Sequence, residues 1–344
     1  MTDTAEHISR LEAFFRRRSD DPDSLKVVDY EVITGGYSRA MSKVFVEDSS
    51  GRRGYIIRAD PPPGQAIIDT DRATEWSVLS TLHASGQVPM PVPRWFDPTG
   101  EELGSPAIVI DLVDGEAMIS LTRKVADEEH PEWGRRLAEV MATVHMTDMD
   151  ALPPELEVPG SWDEYIDARI QYWEDAERAH IDRDPIMRYV AAWLRANRPP
   201  PVPLGLVHGD LQIANVLIDR DDTCLVIDWE LTHVGDPRED IGWSLLAGVT
   251  QPPDLIRCDE ESFYARYREL TGFTEEQVNP AVMDFFLLLA SPTVYVSVIE
   301  QLALLARGET TGIAVAYMSP AVIGMHDVFM RAIAHHKSIT GGAA

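Results

Sequence analysis

The segment Leu206–Asp219, reading Leu-Val-His-Gly-Asp-Leu-Gln-Ile-Ala-Asn-Val-Leu-Ile-Asp, constrains the fold more than any other part of this chain. Val216-Leu217-Ile218 has the pattern of a short buried strand. The turn Asp219 to Thr223 comes next, and Leu225-Val226-Ile227 reads as the next strand, running into Asp228-Trp229-Glu230. Paired strands lie about 5 Å apart. The loop before the first strand carries Asp210 and Asn215, and the exit of the second carries Asp228, so a hairpin can bring three oxygen-bearing side chains together. Mg²⁺ takes hard oxygen ligands, one or two from protein, with phosphate and water completing the shell. Asn215 and Asp228 suit that role, which leaves Asp210 to orient a hydroxyl and accept its proton. A single loop Asp or Asn is usually a turn former. Here the order and spacing of all three favour the chemical reading.

The surroundings of this segment divide in character. Thr4 to Arg18 has Ile8, Leu11, Phe14 and Phe15 on one helical face, with Arg16 to Arg18 in the last turn. Strand patterns occur at Tyr30–Ile33, Ser42–Val46, Gly54–Arg58 and Ala107–Ile110, with a helix predicted over Asp71–His83. After Gly115 the pattern becomes helical, at Arg135–His145, Trp162–His180, Pro185–Asn197 and again from Asp240 onward. The expected class is α+β: residues 1–113 as a small β-rich lobe and 114–344 as a larger helical lobe. The 344 residues are long enough for two such units.

Charge narrows the partners. Lys and Arg number 30 against 57 Asp and Glu, a net charge of -27, so nucleic acid and anionic membranes are disfavoured. The acidity reads foremost as a solubilising surface. Cys224 and Cys258 have no metal-binding spacing and cannot make a disulfide scaffold; Cys224, in an apolar run, is expected to be a buried thiol. No secretory signal is expected at the start of the chain. The most apolar stretch, Phe285–Ile299, is interrupted by Pro292 and reads as buried helix. A cytoplasmic protein is the expectation.

His-Gly-Asp, four residues, Asn, then Ile-Asp-Trp-Glu resembles the aminoglycoside phosphotransferase family, which shares the bilobal protein-kinase-like fold. The resemblance implies a phosphotransferase with Asp210 as catalytic base and Asn215 and Asp228 as Mg²⁺ ligands. His208 would hold the loop. Gly235-Asp236-Pro237-Arg238-Glu239-Asp240 is similar to the family's Gly-Asp-Pro-x-x-Asp segment; Asp240 would cap the helix after it and bond the catalytic-loop backbone. Nearer the start, Thr34-Gly35-Gly36-Tyr37-Ser38 resembles the phosphate-covering loop, with Gly35, Gly36 and Ser38 at the nucleotide. Arg58 stands where kinases place the Lys that contacts the α- and β-phosphates, and Glu75 stands for its partner. Arg in that place is a departure, since a guanidinium is a planar fork and an ammonium a point charge. Ile110 to Val113, with Ile110 and Leu112, would be the interlobe hinge that holds the adenine. Ile57-Arg58-x-x-Pro-Pro-Pro-Gly with Asp71-Arg72-x-x-Glu75 looks like the branch of the family also found fused to acyl-CoA dehydrogenases.

The resemblance therefore implies an ATP- or GTP-dependent, Mg²⁺-dependent kinase of a small-molecule alcohol. Only eleven residues separate Asp228 from Asp240, too few for a peptide-binding activation segment. Two other readings remain: a nucleotide-binding scaffold without turnover, and a choline- or sugar-kinase-like enzyme on the same fold. Tyr165, Tyr172 and Trp173 would line the acceptor pocket or belong to the core. Asp163, Glu164, Asp167, Glu174, Asp175 and Glu177 would serve a polycationic acceptor or form a solvated helix face.

Overall fold

The computed structural model describes residues 2–33, 40–60, 71–179, 185–291, 295–296, 299, 304–309 and 313–341. Gly35, Gly36 and Ser38 lie outside these residues, as does the Pro-Pro-Pro-Gly turn at 61–64. The chain separates into two compact units: residues 1–115 with 217–230, and residues 116–216 with 231–344. The segment 217–230, just after the Asn215 loop, therefore packs with the N-terminal part of the chain.

The first unit is built on a five-stranded antiparallel sheet in the order β1-β2-β3-β5-β4. Its members are β1 (Lys26–Ile33), β2 (Ala40–Asp48), β3 (Gly51–Ala59), β4 (Pro93–Asp97) and β5 (Ala107–Asp111). Alternation buries Val44 and Val46 of β2 with Tyr55 and Ile57 of β3 on one face. Helix α1 (Thr2–Arg16) covers that face with Leu11, Phe14 and Phe15, and Phe15 stacks on Tyr55 at 5.0 Å. Phe14 is fully buried here, so Phe14→Ala would cost about 3–5 kcal/mol. Helix α2 (Arg72–Ser85) starts at Asp71, whose side chain accepts from the Ala73 amide, and stops at Gly86 in the left-handed conformation. The short strand β6 (Gly115–Ala117) comes after β5 and its exit. β8 (Val216–Asp219) and β9 (Cys224–Val226) pair as the expected hairpin. Cys224 is half-buried rather than enclosed, because β9 is the last strand of its small sheet.

The second unit is mostly helical. It contains α3 (Met118–Thr122), α4 (His130–His145), α5 (Trp162–Ala179), α6 (Pro185–Ala196), α7 (Arg238–Thr250), α8 (Leu255–Cys258), α9 (Glu260–Thr271), α10 (Pro280–Ala290) and α11 (Ile313–Thr340). β7 (Gly205–Val207) pairs antiparallel with β10 (His233–Gly235). α4 packs on α9, and α7 on α10. α7 comes so near α10 that a Cβ on Gly242 would overlap the Phe286–Leu287 backbone. α10 is buried from Ala281 to Ala290, the core helix its apolar sequence predicts. Among the described residues no helix is long and apolar enough to cross a membrane.

Candidate active site

The residues singled out in the sequence fall into two groups, one in each unit. In the second unit β7 delivers the chain into His208-Gly209-Asp210. Gly209 takes φ +85°, and a Cβ there would lie 2.4 Å from the Leu231 carbonyl oxygen, so only glycine fits the turn. His208 is fully buried, and its Nδ1 accepts from the Asp210 amide at 3.2 Å. Asp240 of α7 accepts from the His208 amide and the Gly209 amide, each at 2.8 Å, and from His145 Nε2 at 3.0 Å. His145 is itself held by the Tyr267 hydroxyl at 2.8 Å. Burial pushes the Asp240 carboxyl up, but the His145 bond, the neighbouring histidines and the loop amides outweigh it and hold the group below the usual carboxylate range. Asp240 is thus not the N-cap expected of it. The helix begins at Arg238, and the carboxylate lies in the first turn with its oxygens turned to the loop backbone.

The Asp210 carboxylate is held by three side-chain donors. Trp243 Nε1 donates to Oδ1 at 2.5 Å, Gln212 Nε2 to Oδ1 at 2.8 Å, and Asn215 Nδ2 to Oδ2 at 2.8 Å. Gln212 is tied in turn to Gln251 near the end of α7 at 3.2 Å. Asn215 Nδ2 also donates to the Asp210 carbonyl at 2.8 Å, so the part of its amide left to meet a cation is the oxygen. A cavity of about 200 Å³ adjoins this loop, with Gly209, Leu231, His233, Trp243, Arg169 and Glu239 on its wall. Its aromatic wall is Trp243, not the α5 aromatics. Trp173 is core, packed on Tyr295 and Phe329, and Tyr172 is exposed. Tyr165 is buried against β10, close enough that a Cβ on Gly235 would strike its ring.

In the first unit, Arg58 at the end of β3 is 5% exposed, and its Nη2 contacts three carboxylates: Glu75 at 3.2 Å, Asp228 at hydrogen-bond range and Glu230 at 3.7 Å. Glu75 also binds Arg72 Nη1 at 2.6 Å, and Arg72 reaches Asp60 through Nε and Nη2 at 3.1 and 2.6 Å. Two buried guanidiniums therefore share Glu75. Burial disfavours the Arg58 charge, but Asp228, Glu75 and Glu230 more than compensate and keep it cationic. Asp228 itself adopts φ +72°, an uncommon conformation for a residue with a side chain. Ile110 is buried in β5, and the Leu112 amide donates to Gly54 at 3.0 Å. Among the described residues no group of three His, Cys, Asp or Glu side chains is arranged to hold a metal. Asp228 in the first unit and Asn215 in the second each carry a hard oxygen of the kind Mg²⁺ takes.

Sequence reasoning does not single out Trp243, Gln212, Arg72, Arg169, His233 or Glu239 for the site. Two of them carry a signal: Trp243 is three residues from Asp240, and Arg169 four from Tyr165, so each shares a helix face with a residue already noted.

The sequence profile of the phosphotransferase enzyme family matches residues 29–285. Over 112 residues the chain is 31% identical to acyl-CoA dehydrogenase family member 10 of Mus musculus; that match takes in 32% of this chain and 10% of the relative. Among solved structures, a Ralstonia eutropha JMP134 protein with a provisional aminoglycoside phosphotransferase assignment superposes with TM-score 0.71 at 19% identity, over 94% of this chain and 97% of that one. The macrolide 2'-phosphotransferase MphH of Brachybacterium faecium gives 0.61 at 20%, over 91% and 97%. A thermostable mutant of the aminoglycoside phosphotransferase APH(4)-Ia, in a ternary complex with ADP and hygromycin B, gives 0.57 at 18%, over 93% and 98%. At these identities the structures show the shared α+β, kinase-like fold. The profile match spans most of the chain, from β1 through the Asp210 loop to α10, and the chain belongs to the phosphotransferase enzyme family.

Proposed function

We propose that this protein transfers the γ-phosphate of ATP to a hydroxyl of a small molecule, with Asp210 as the base that orients the hydroxyl and takes its proton. The observation that carries the reading is the Asp210 carboxylate itself, fixed by Trp243, Gln212 and Asn215 on a loop that borders a cavity. A base held this firmly loses little freedom when the acceptor arrives.

Residues 1–113 are the nucleotide-binding lobe in this reading and 114–344 the catalytic and acceptor-binding lobe. Arg58 contacts the α- and β-phosphates, with Glu75 as its holder. Gly35, Gly36 and Ser38 cover the phosphates, and the backbone at Ile110 and Leu112 receives the purine, adenine in ATP or guanine if GTP is used. Asp228 and Asn215 are the Mg²⁺ ligands; the bound ion would neutralise charge on the phosphate oxygens. His208 and Asp240 hold the loop and touch no reactant. The ADP held by a structural neighbour supports nucleotide use. The protein is assigned to the cytoplasm.

The test is Mg²⁺-dependent ATP consumption against a broad alcohol library, with Asp210→Asn as blank. Phosphorylation of an acceptor by the wild type and not by the variant supports the reading. ATP binding with no turnover on any alcohol would favour a nucleotide-binding scaffold instead.

A further inference from the structure

Arg72 stands where a cation is doubly disfavoured. It is the first residue of α2, at the positive end of the helix dipole, and it is buried. A buried ion pair adds little net stability, because desolvation offsets most of the attraction. The helix has other anchors: Val78, Leu79 and Leu82 are buried, and Trp76 stacks on Phe96 at 5.7 Å. Holding α2 in place is therefore not what requires a guanidinium here.

Its bonds run in two directions. Nε and Nη2 both donate to Asp60 Oδ1, at 3.1 and 2.6 Å, and Nη1 donates to Glu75 Oε2 at 2.6 Å. Asp60 directly follows β3, two residues after Arg58, and its amide donates to the Pro106 carbonyl at 3.0 Å. Asp60 is thus a fixed point on the strand that carries Arg58. Glu75 lies one turn along α2 from Arg72. Arg72 ties that turn of the helix to the end of that strand.

The two oxygens of Glu75 are divided. Oε2 is taken by Arg72, whereas Oε1 faces Arg58 Nη2 at 3.2 Å and has no hydrogen bond among the described residues. Nη2 of Arg58 donates to Asp228 instead. Glu75 therefore attracts Arg58 electrostatically from one side without taking a donor from it. With Arg72 gone, the Glu75 carboxylate can turn both oxygens on Arg58. A bidentate grip would draw the guanidinium toward α2 and occupy the fork that a phosphate needs.

We propose that Arg72 is a positioning residue for Arg58. Anchored on Asp60, it holds Glu75 Oε2 so that Oε1 alone faces Arg58, and the fork of Arg58 stays available to the nucleotide phosphates. This rests on the phosphotransferase reading, in which Arg58 meets the α- and β-phosphates. Arg72 touches no reactant in this scheme; it acts through Glu75 and Arg58.

Calorimetric titration with ADP and with adenosine, both in Mg²⁺ and without an acceptor, tests it. ADP should bind Arg72→Gln about tenfold more weakly than wild type, the effect of one charge-assisted hydrogen bond. Adenosine, which carries no phosphate, should bind both alike. Arg72→Lys should recover only part of the loss, since an ammonium lacks the fork that spans Asp60 and Glu75. In an Arg58→Ala background, Arg72→Gln should weaken ADP binding no further. Thermal melting checks that the variants are folded. Should Arg72→Gln fail that check, Asp60→Ala, which removes the anchor at a half-exposed position, decides by the same comparisons. Unchanged ADP affinity in the folded variants overturns the proposal. So does an equal loss for ADP and adenosine, which marks a distorted fold, or a full additional loss in the Arg58→Ala background. The two readings fail separately. ADP binding that is indifferent to Arg72 keeps the phosphotransferase reading and defeats this one. A wild type that binds neither ADP nor ATP at millimolar concentration counts against the phosphotransferase reading and takes this one with it.

Discussion

The indole N–H of Trp243 donates to Oδ1 of Asp210 across 2.5 Å, in the same helical turn that carries Asp240 to the loop backbone. Trp243→Phe keeps an aromatic wall and removes only the donor. A hydrogen bond to a charged group contributes about 1.5–3 kcal/mol, so kcat should fall about ten- to a hundredfold. The KM for ATP should stay within about twofold, because Trp243 holds the base and not the nucleotide. Steady-state kinetics with saturating acceptor will show the split; an unchanged kcat would mean the bond does not position Asp210.

Asp210→Asn should lower turnover by about a hundredfold or more, since the amide cannot take the hydroxyl proton. Calorimetry should find nucleotide affinity nearly unchanged. Near wild-type transfer in this variant removes Asp210 from the role of base.

Arg58 and Glu75 should behave as one unit. Arg58→Ala should raise the KM for ATP at least about tenfold, and Arg58→Lys should retain part of the activity because charge survives without the fork. Glu75→Ala leaves the Arg58 and Arg72 guanidiniums buried with a shared partner gone, at a stability cost of about 3–5 kcal/mol. Urea unfolding of the single and double variants should show the pair costing less than the sum of its parts.

Asp284, on α10, gives a prediction in pH. Burial pushes its carboxyl up to about 6, against the partial relief of a His335 contact at 2.8 Å. The unfolded chain releases this proton near the usual value of about 4. Between those limits the folded state binds more protons, so the contribution is fully present below about pH 4 and lost as pH rises through about 6. It amounts to an order of 2–3 kcal/mol. The stability difference between wild type and Asp284→Asn should shift by that order across this window in denaturant titrations. A pH-independent difference refutes the assignment.

Much of the fold is legible in the sequence because it is written locally. Asp71 before a periodic apolar run marks α2, and alternating Val, Phe and Ile mark β2 and β3. β4 is not legible, because Pro91 and Pro93 break the strand pattern; it forms as an edge strand, bonded only to β5, where a missing amide is tolerated. The Asp210–Asn215 loop is legible from spacing. The contacts of Arg58 with Asp228 and Glu230 are not, since 170 residues separate Arg58 from Asp228 and no local pattern reports a tertiary ion cluster. The same applies to Glu239, whose partners Tyr165 and Arg169 come from a helix about 70 residues upstream.

The left-handed backbone of Asp228 dictates how its role can be probed. An alanine there must either hold φ near +72°, at a strain of about 1–2 kcal/mol, or let the turn after β9 relax and carry Trp229 and Glu230 with it. Loss of activity in Asp228→Ala would then report backbone rearrangement together with the missing carboxylate. Asparagine tolerates the left-handed region and keeps the shape of aspartate, losing the charge and exchanging one acceptor oxygen for an amide donor. Asp228→Asn is therefore the substitution that isolates the electrostatic contribution, and Asp228→Gly the one that measures the turn without a side chain.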